Sequence, residues 1–174
     1  RGEVHRGLAQ SYYFDHCGPW KKSKEGYLYL FTCVDAFTGY AWIFPAKTKD
    51  LPEVKKFLKF IFAYFDCPSE LRCDNGFYGI GKRKVIERGL EENSGKLKIW
   101  LKLEYPNSNI SFKPGCSYNP VSQQIIERIH PECRKYLLRF GGENWPDEIL
   151  NLERHLRHFP HKRGEKGNPK SATD

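Results

Sequence analysis

The run Tyr27-Leu28-Tyr29-Leu30-Phe31-Thr32-Cys33-Val34 constrains the fold more than any other stretch of the chain. It is nearly continuous in aromatic and β-branched side chains, and a strand with one face in water would alternate instead. A central strand, covered on both faces, is the expectation. Asp35-Ala36-Phe37-Thr38-Gly39 then supplies turn residues, and Tyr40-Ala41-Trp42-Ile43-Phe44 returns as an antiparallel partner that Pro45 is expected to stop.

Residues from about Leu8 to Cys17 read as a preceding strand, closed by a Gly18-Pro19 turn and a lysine-rich loop ending at Gly26, with Asp15 near the strand's end. Downstream, Asp50 can cap a helix that has Pro52 in its first turn and Glu53 in capping-box position. Leu51, Val54, Leu58, Ile61, Phe62 and Phe65 form its apolar stripe. Glu70-Leu71-Arg72-Cys73 is a short strand that delivers Asp74 to an Asn75-Gly76 turn.

A helix is expected over residues 83–92, while Asn93 to Asn109 shows no clear period and stays unassigned. Ile110-Ser111-Phe112-Lys113 alternates like an edge strand, and Pro114 to Ser122 is rich in loop formers. From about Ser122 to Phe140 a helix places Ile126, Ile129, Cys133, Leu137 and Phe140 on one face, with Glu127 at the margin of that stripe and aimed inward. A last helix from Pro146 to about His158 leads into a tail rich in Lys, Gly and Pro. The expected organisation is one domain over 1–159, with 160–174 a basic flexible tail or linker.

A chain of 174 residues, 39% of them hydrophobic, can bury a core without disulfides or structural metal. It contains no methionine, so a segment of a longer polypeptide is expected. No apolar run is long enough to span a bilayer and the first residues lack a signal-peptide layout, which favours a soluble intracellular chain and no membrane partner. The six cysteines include no C-x-x-C pair, and reduced thiols acting as small hydrophobes fit them best. His155, His158 and His161 recur every third residue but lack neighbouring acidic or thiolate co-ligands, so a solvated helix end is expected there. The net charge of +8, with basic runs at Lys21-Lys22-Ser23-Lys24, Lys82-Arg83-Lys84 and from Arg154 to Lys170, suits a polyanion such as nucleic acid. A solvated lysine surface accounts for it equally well, so charge alone does not decide.

Chemistry enters with the acids. Two carboxylates at strand ends and a third on a helix, in a mixed α/β frame, can converge on divalent cations. Phosphodiester cleavage needs charge neutralised on both the attacking and leaving oxygens, which two Mg²⁺ ions about 4 Å apart supply. Mg²⁺ takes hard oxygen donors and keeps several waters, so two or three acids suffice.

Four pieces carry a family resemblance: Asp15 before Cys17-Gly18-Pro19; Val34-Asp35-Ala36-Phe37-Thr38-Gly39-Tyr40; Asp74-Asn75-Gly76; and Asn119-Pro120-Val121-Ser122-Gln123 leading to Glu127. In this order and spacing, from about Ser11 to Phe140, the chain resembles the integrase catalytic core of retroviruses and retrotransposons. The resemblance implies an RNase H-like fold with a mixed five-stranded sheet flanked by helices. It also implies trimming of element DNA ends followed by strand transfer into target DNA, hence a polynucleotidyl transferase. Carried over by position, Asp15, Asp74 and Glu127 match the metal-binding triad for Mg²⁺ or Mn²⁺, two ions in all. Asn119, Ser122 and Gln123 fall on the active-site loop that approaches DNA, and Arg134 and Lys135 extend basic contacts along the helix. DNA, a second copy of the chain and nuclear action are likewise implied.

Asp35 also ends a strand, but its expected role is bonding its own hairpin turn. The chain departs from the family pattern in three places. The 52 residues between Asp74 and Glu127 exceed the compact retroviral interval. Gln124 stands where the family commonly has glycine, which costs the loop backbone freedom. Pro131, four residues after Glu127, removes the helix bond to the Glu127 carbonyl, so either the acid is displaced or the helix breaks after His130 and restarts. Gln124 and Pro131 motivate the alternative of a domesticated integrase-derived module that binds DNA or protein without catalysis. A hydrolytic RNase H-like nuclease is a third reading, against which the Asn119 to Gln123 loop argues.

Overall fold

The computed structural model describes residues 11–73, 96–114 and 120–158, with the backbone alone for 112–114 and 120–126. Five strands form one mixed sheet: β1 (Ser11–Cys17), β2 (Tyr29–Asp35), β3 (Ala41–Ala46), β4 (Glu70–Cys73) and β5 (Ser111–Pro114), in the spatial order β3-β2-β1-β4-β5. β1, β2 and β3 pair antiparallel, with Asp15 opposite Thr32 and Thr32 opposite Ile43. β4 and β5 continue parallel on the other side of β1, Tyr13 lying opposite Arg72.

The apolar run becomes β2, buried on both faces as its composition demands, although pairing with β1 starts only at Leu30. β3 runs through Pro45 to Ala46 rather than stopping. It is an edge strand, where a residue without an N–H is tolerated.

Alternation divides each strand between two cores. Tyr12 and Phe14 of β1, Phe31 and Cys33 of β2 and Trp42 of β3 face α1 (Leu51–Tyr64) and α2 (Lys96–Glu104). Phe31 is fully buried there, its ring 5.1 Å from Phe57 and 6.0 Å from Phe14 between centroids. Burial of such a ring contributes roughly 1.5–3 kcal/mol. Cys17, Leu30, Val34, Ala41 and Ile43 face the other way, towards α3 (Pro120–Phe140) and α4 (Ile149–Arg157).

α1 buries Val54, Leu58, Ile61 and Phe62 as its periodicity requires, together with Phe57. Asp50 occupies the N-cap, but its side chain makes no capping bond. Its backbone carbonyl receives the Glu53 N–H at 3.1 Å instead, so the capping-box expectation fails. α2 lies in the stretch that shows no sequence period. Leu97 and Leu101 dock it, while Ile99 and Leu103 remain exposed and obscure the pattern.

α3 is continuous, with Pro131 inside it, so the helix does not break after His130. Ile129 before the proline and Cys133 and Leu137 after it all bury against the same sheet face, which offsets the lost bond. Phe140, expected on that face, is 52% exposed at the helix end. A 3₁₀ turn over Gly142–Glu148 takes up Pro146, so α4 starts at Ile149 rather than Pro146. Trp145 in this turn is buried and donates its indole N–H to the Lys21 carbonyl at 2.7 Å.

The helix expected over 83–92, the beginning of the first strand and the tail over 160–174 lie outside the described residues.

Candidate active site

Alternation along β1 places Asp15 with Cys17 on the face that α3 crosses. Asp15 is half-buried, and its Oδ1 accepts the backbone N–H of His16 at 2.7 Å. Its backbone carbonyl accepts the hydroxyl of Thr32, its cross-strand partner, at 3.2 Å. The same Thr32 Oγ1 lies 3.1 Å from His130 Nε2 on α3. A hydroxyl has one proton, here directed at Asp15, so Nε2 of His130 carries the hydrogen and donates to Thr32. Burial pushes the His130 pKa below 6.5, with the Asp15 charge acting the other way, so the ring is neutral at neutral pH.

Glu127 precedes His130 by three residues, on the same side of the helix, and is exposed. The inward aim expected of it is not what the structure shows: His130 enters the protein and Glu127 stays at the solvent margin. Pro131 cannot donate to the Glu127 carbonyl, so the turn that holds Glu127 and His130 lacks one backbone hydrogen bond. β4, parallel and adjacent to β1, ends at Cys73. Asp74 is the next residue in the chain and lies outside the described set, as does Asn119. Ser122 and Gln123 fall in the first turn of α3.

Arg134 and Lys135 lie side by side in the turn of α3 that follows His130. The Arg134 guanidinium lies 5.2 Å over the Trp20 ring, and Lys135 Nζ is 3.4 Å from Glu132 Oε1 with its side chain 76% exposed. Asp35 is buried, and its Oδ1 accepts the Phe37 N–H at 2.8 Å, the hairpin-turn role expected of it. His155 is not simply solvated: Nε2 lies 3.6 Å from Glu132 Oε2 and its ring packs on Tyr136. His158 is exposed. Cys17, Cys33, Cys67 and Cys133 are free thiols.

Among the described residues no group of three His, Cys, Asp or Glu side chains is assembled around one point. Two of the three acids read from the sequence do sit on neighbouring elements joined through Thr32 and His130. Their hard carboxylate oxygens match what Mg²⁺ or Mn²⁺ takes. His130 is no alternative ligand through Nε2, which Thr32 already engages. Sequence reasoning missed both Thr32 and His130. The one signal available was a histidine a single helical turn after Glu127.

This arrangement, a mixed five-stranded sheet with helices on both faces and an acid on the central strand facing a crossing helix, defines an RNase H-like domain. No protein-family model matches the chain. Curated relatives are retroviral polyproteins. The Gag-Pol polyprotein of Koala retrovirus is 29% identical over 130 residues, covering 72% of this chain and 7% of that one. The Pro-Pol polyprotein of Feline foamy virus is 28% identical, covering 74% and 9%. The chain thus spans under a tenth of the length of these relatives.

Among solved structures, the catalytic core domain of BIV integrase matches with a TM-score of 0.59 at 17% identity, over 95% of this chain and 91% of that one. The HTLV-2 integrase catalytic core, in a dimeric complex with magnesium, matches with 0.55 at 14%, over 95% and 92%. A simian T-cell lymphotropic virus intasome with the PP2A subunit B56 gamma matches with 0.59 at 18%, over 99% and 56%. In sequence the chain is similar to retroviral Pol polyproteins, and its fold is like that of the integrase catalytic cores it matches.

Proposed function

We propose that this domain is the catalytic core of a retroelement integrase, trimming element DNA ends and joining their 3′-hydroxyls to target DNA in the nucleus. Asp15, Asp74 and Glu127 are the groups that hold two Mg²⁺ or Mn²⁺ ions. When bound, such ions neutralise charge on the attacking and leaving oxygens of the phosphodiester. The rest of the work falls to the chain. The rigid sheet orients Asp15, α3 presents Glu127 to solvent where DNA arrives, and Asn119, Ser122 and Gln123 approach the DNA end. Lys135, exposed on α3, supplies positive charge for the phosphate backbone, as does Arg134 seated on Trp20. A second copy of the chain fits a reaction that handles two DNA ends, and the HTLV-2 core is described in dimeric form.

The observation that carries this reading is the link from the Asp15 carbonyl through Thr32 to His130, one turn from Glu127. It brings the strand and the helix that bear two of the three acids together. The test is joining of a labelled oligonucleotide end to plasmid DNA in Mg²⁺ or Mn²⁺, comparing the unchanged protein with Glu127→Gln. Joining abolished in the variant while DNA binding persists is the expected result. An unchanged protein that binds DNA but neither trims nor joins ends would sink the proposal in favour of a DNA-binding module.

A further inference from the structure

α3 carries a built-in weakness where the proposed site needs rigidity. Pro131 has no N–H, so the turn from Glu127 to Pro131 lacks one of its bonds, and the helix holds its first half less firmly against its second there than an unbroken ladder would. Ile129, Cys133 and Leu137 hold the helix by apolar contact, which sets depth but tolerates sliding. A directional bond at that turn removes the slack. His130, the residue immediately before the proline, donates Nε2–H to Thr32 Oγ1 at 3.1 Å. Thr32 in turn donates to the carbonyl of Asp15 at 3.2 Å. The path from one acid-bearing element to the other is therefore two hydrogen bonds long, and both are part-buried, where such bonds are hard to replace with water.

We infer that His130 and Thr32 are positioning residues that lock the Glu127 turn of α3 against the Asp15 end of β1, setting the spacing of the two acids for their metal ions. The inference rests on the carboxylate reading above and assigns neither residue to the metal or the DNA. Thr32 fits the role because it is opposite Asp15 in the antiparallel register, so its hydroxyl reaches the Asp15 carbonyl without leaving the strand. Valine fills the same strand position and can make neither bond, so Thr32→Val removes the link with little change of shape.

The test measures Mn²⁺ affinity by the electron paramagnetic resonance of free Mn²⁺, together with hydrogen exchange of the backbone amides of Arg128, Ile129 and His130. Thr32→Val and His130→Leu are each expected to weaken Mn²⁺ binding roughly tenfold, about 1.4 kcal/mol, and to speed exchange at that turn. Combined, they should do no more than either alone, since both cut the same link. Thr32→Ser and His130→Gln, which restore a hydroxyl and a donor at similar reach, should recover affinity to within about twofold. A lowered melting temperature with Mn²⁺ affinity intact would mean that the link only stabilises the fold, and the inference fails. If the unchanged protein binds no Mn²⁺, the carboxylate reading falls and takes the metal role of this link with it. Unaltered exchange in Thr32→Val, with normal metal binding, overturns the inference alone.

Discussion

Glu153 on α4 accepts the backbone N–H of Ile43 on β3, with its Oε1 2.7 Å from the nitrogen. β3 is the outer strand of the sheet, and an outward N–H on such a strand is a template for another chain. The carboxylate occupies it from within the same molecule. Burial raises the Glu153 pKa above the usual 4.5, while the Ile43 bond and the Arg157 charge act against that rise without cancelling it.

The sign of the resulting pH effect follows from linkage. A carboxyl whose pKa is higher folded than unfolded contributes most below its unfolded pKa, and that contribution is lost as pH rises through the folded value. Glu153→Gln keeps an oxygen for Ile43 and removes the buried charge. Its melting temperature should exceed the parent's at pH 7, the gap closing towards pH 4. A gap independent of pH would contradict this account. Glu153→Leu, which leaves the Ile43 N–H unbonded, is expected to cost about 1–3 kcal/mol in urea unfolding.

The thiols should differ in reactivity under native conditions. Burial pushes Cys17 up to about 11 and lifts Cys33 and Cys133 as well, so little thiolate exists at pH 8, and Cys73 is also buried. Cys67 is half-exposed. Timed alkylation followed by peptide mass spectrometry should find Cys67 modified first among these five. Early labelling of Cys33 or Cys133 would mean that the sheet opens more readily than its packing implies.

Two adjacent glycines after α3 should respond differently to alanine. A Cβ on Gly141 would lie 2.7 Å from the Leu137 carbonyl and 2.8 Å from Trp145 Cβ, so the joint between α3 and the 3₁₀ turn must shift. Gly142 has open space around it, but its φ of +57° is one that other residues adopt at a cost of roughly 1–2 kcal/mol. Gly141→Ala should therefore cost more than Gly142→Ala, about 2–3 kcal/mol against about 1 kcal/mol. Denaturant midpoints of the two variants compare them directly.

What the sequence made legible were the features that repeat locally. Phe31, Cys33 and their neighbours announced β2 because nearly every position of the run is apolar, and Val54, Leu58, Ile61 and Phe62 announced α1 because burial there follows the helical period. α2 escaped because Ile99 and Leu103 put apolar side chains in solvent and blur the stripe made by Leu97 and Leu101. Pro45 and Pro131 misled in the same manner: proline penalties are local, and the edge position of β3 and the docking of both halves of α3 are tertiary. Motif resemblance singles out Asp15 and Glu127 as candidates. It does not reveal the Thr32 to His130 bond, since that bond joins residues 98 positions apart that share no pattern.

The two cores also differ in when they can exist. One face of the sheet is closed by α1 and α2, complete by Glu104, whereas the other is closed only by residues from Ile129 to Leu156. A chain made from its N-terminus exposes Leu30, Val34 and Ile43 until that second set emerges, so translation passes through a half-covered intermediate. At about 5–20 residues per second, synthesis of the stretch from Glu104 to Leu156 leaves that face bare for several seconds. Chaperone demand during synthesis should therefore track the arrival of α3 and α4, not the length of the chain.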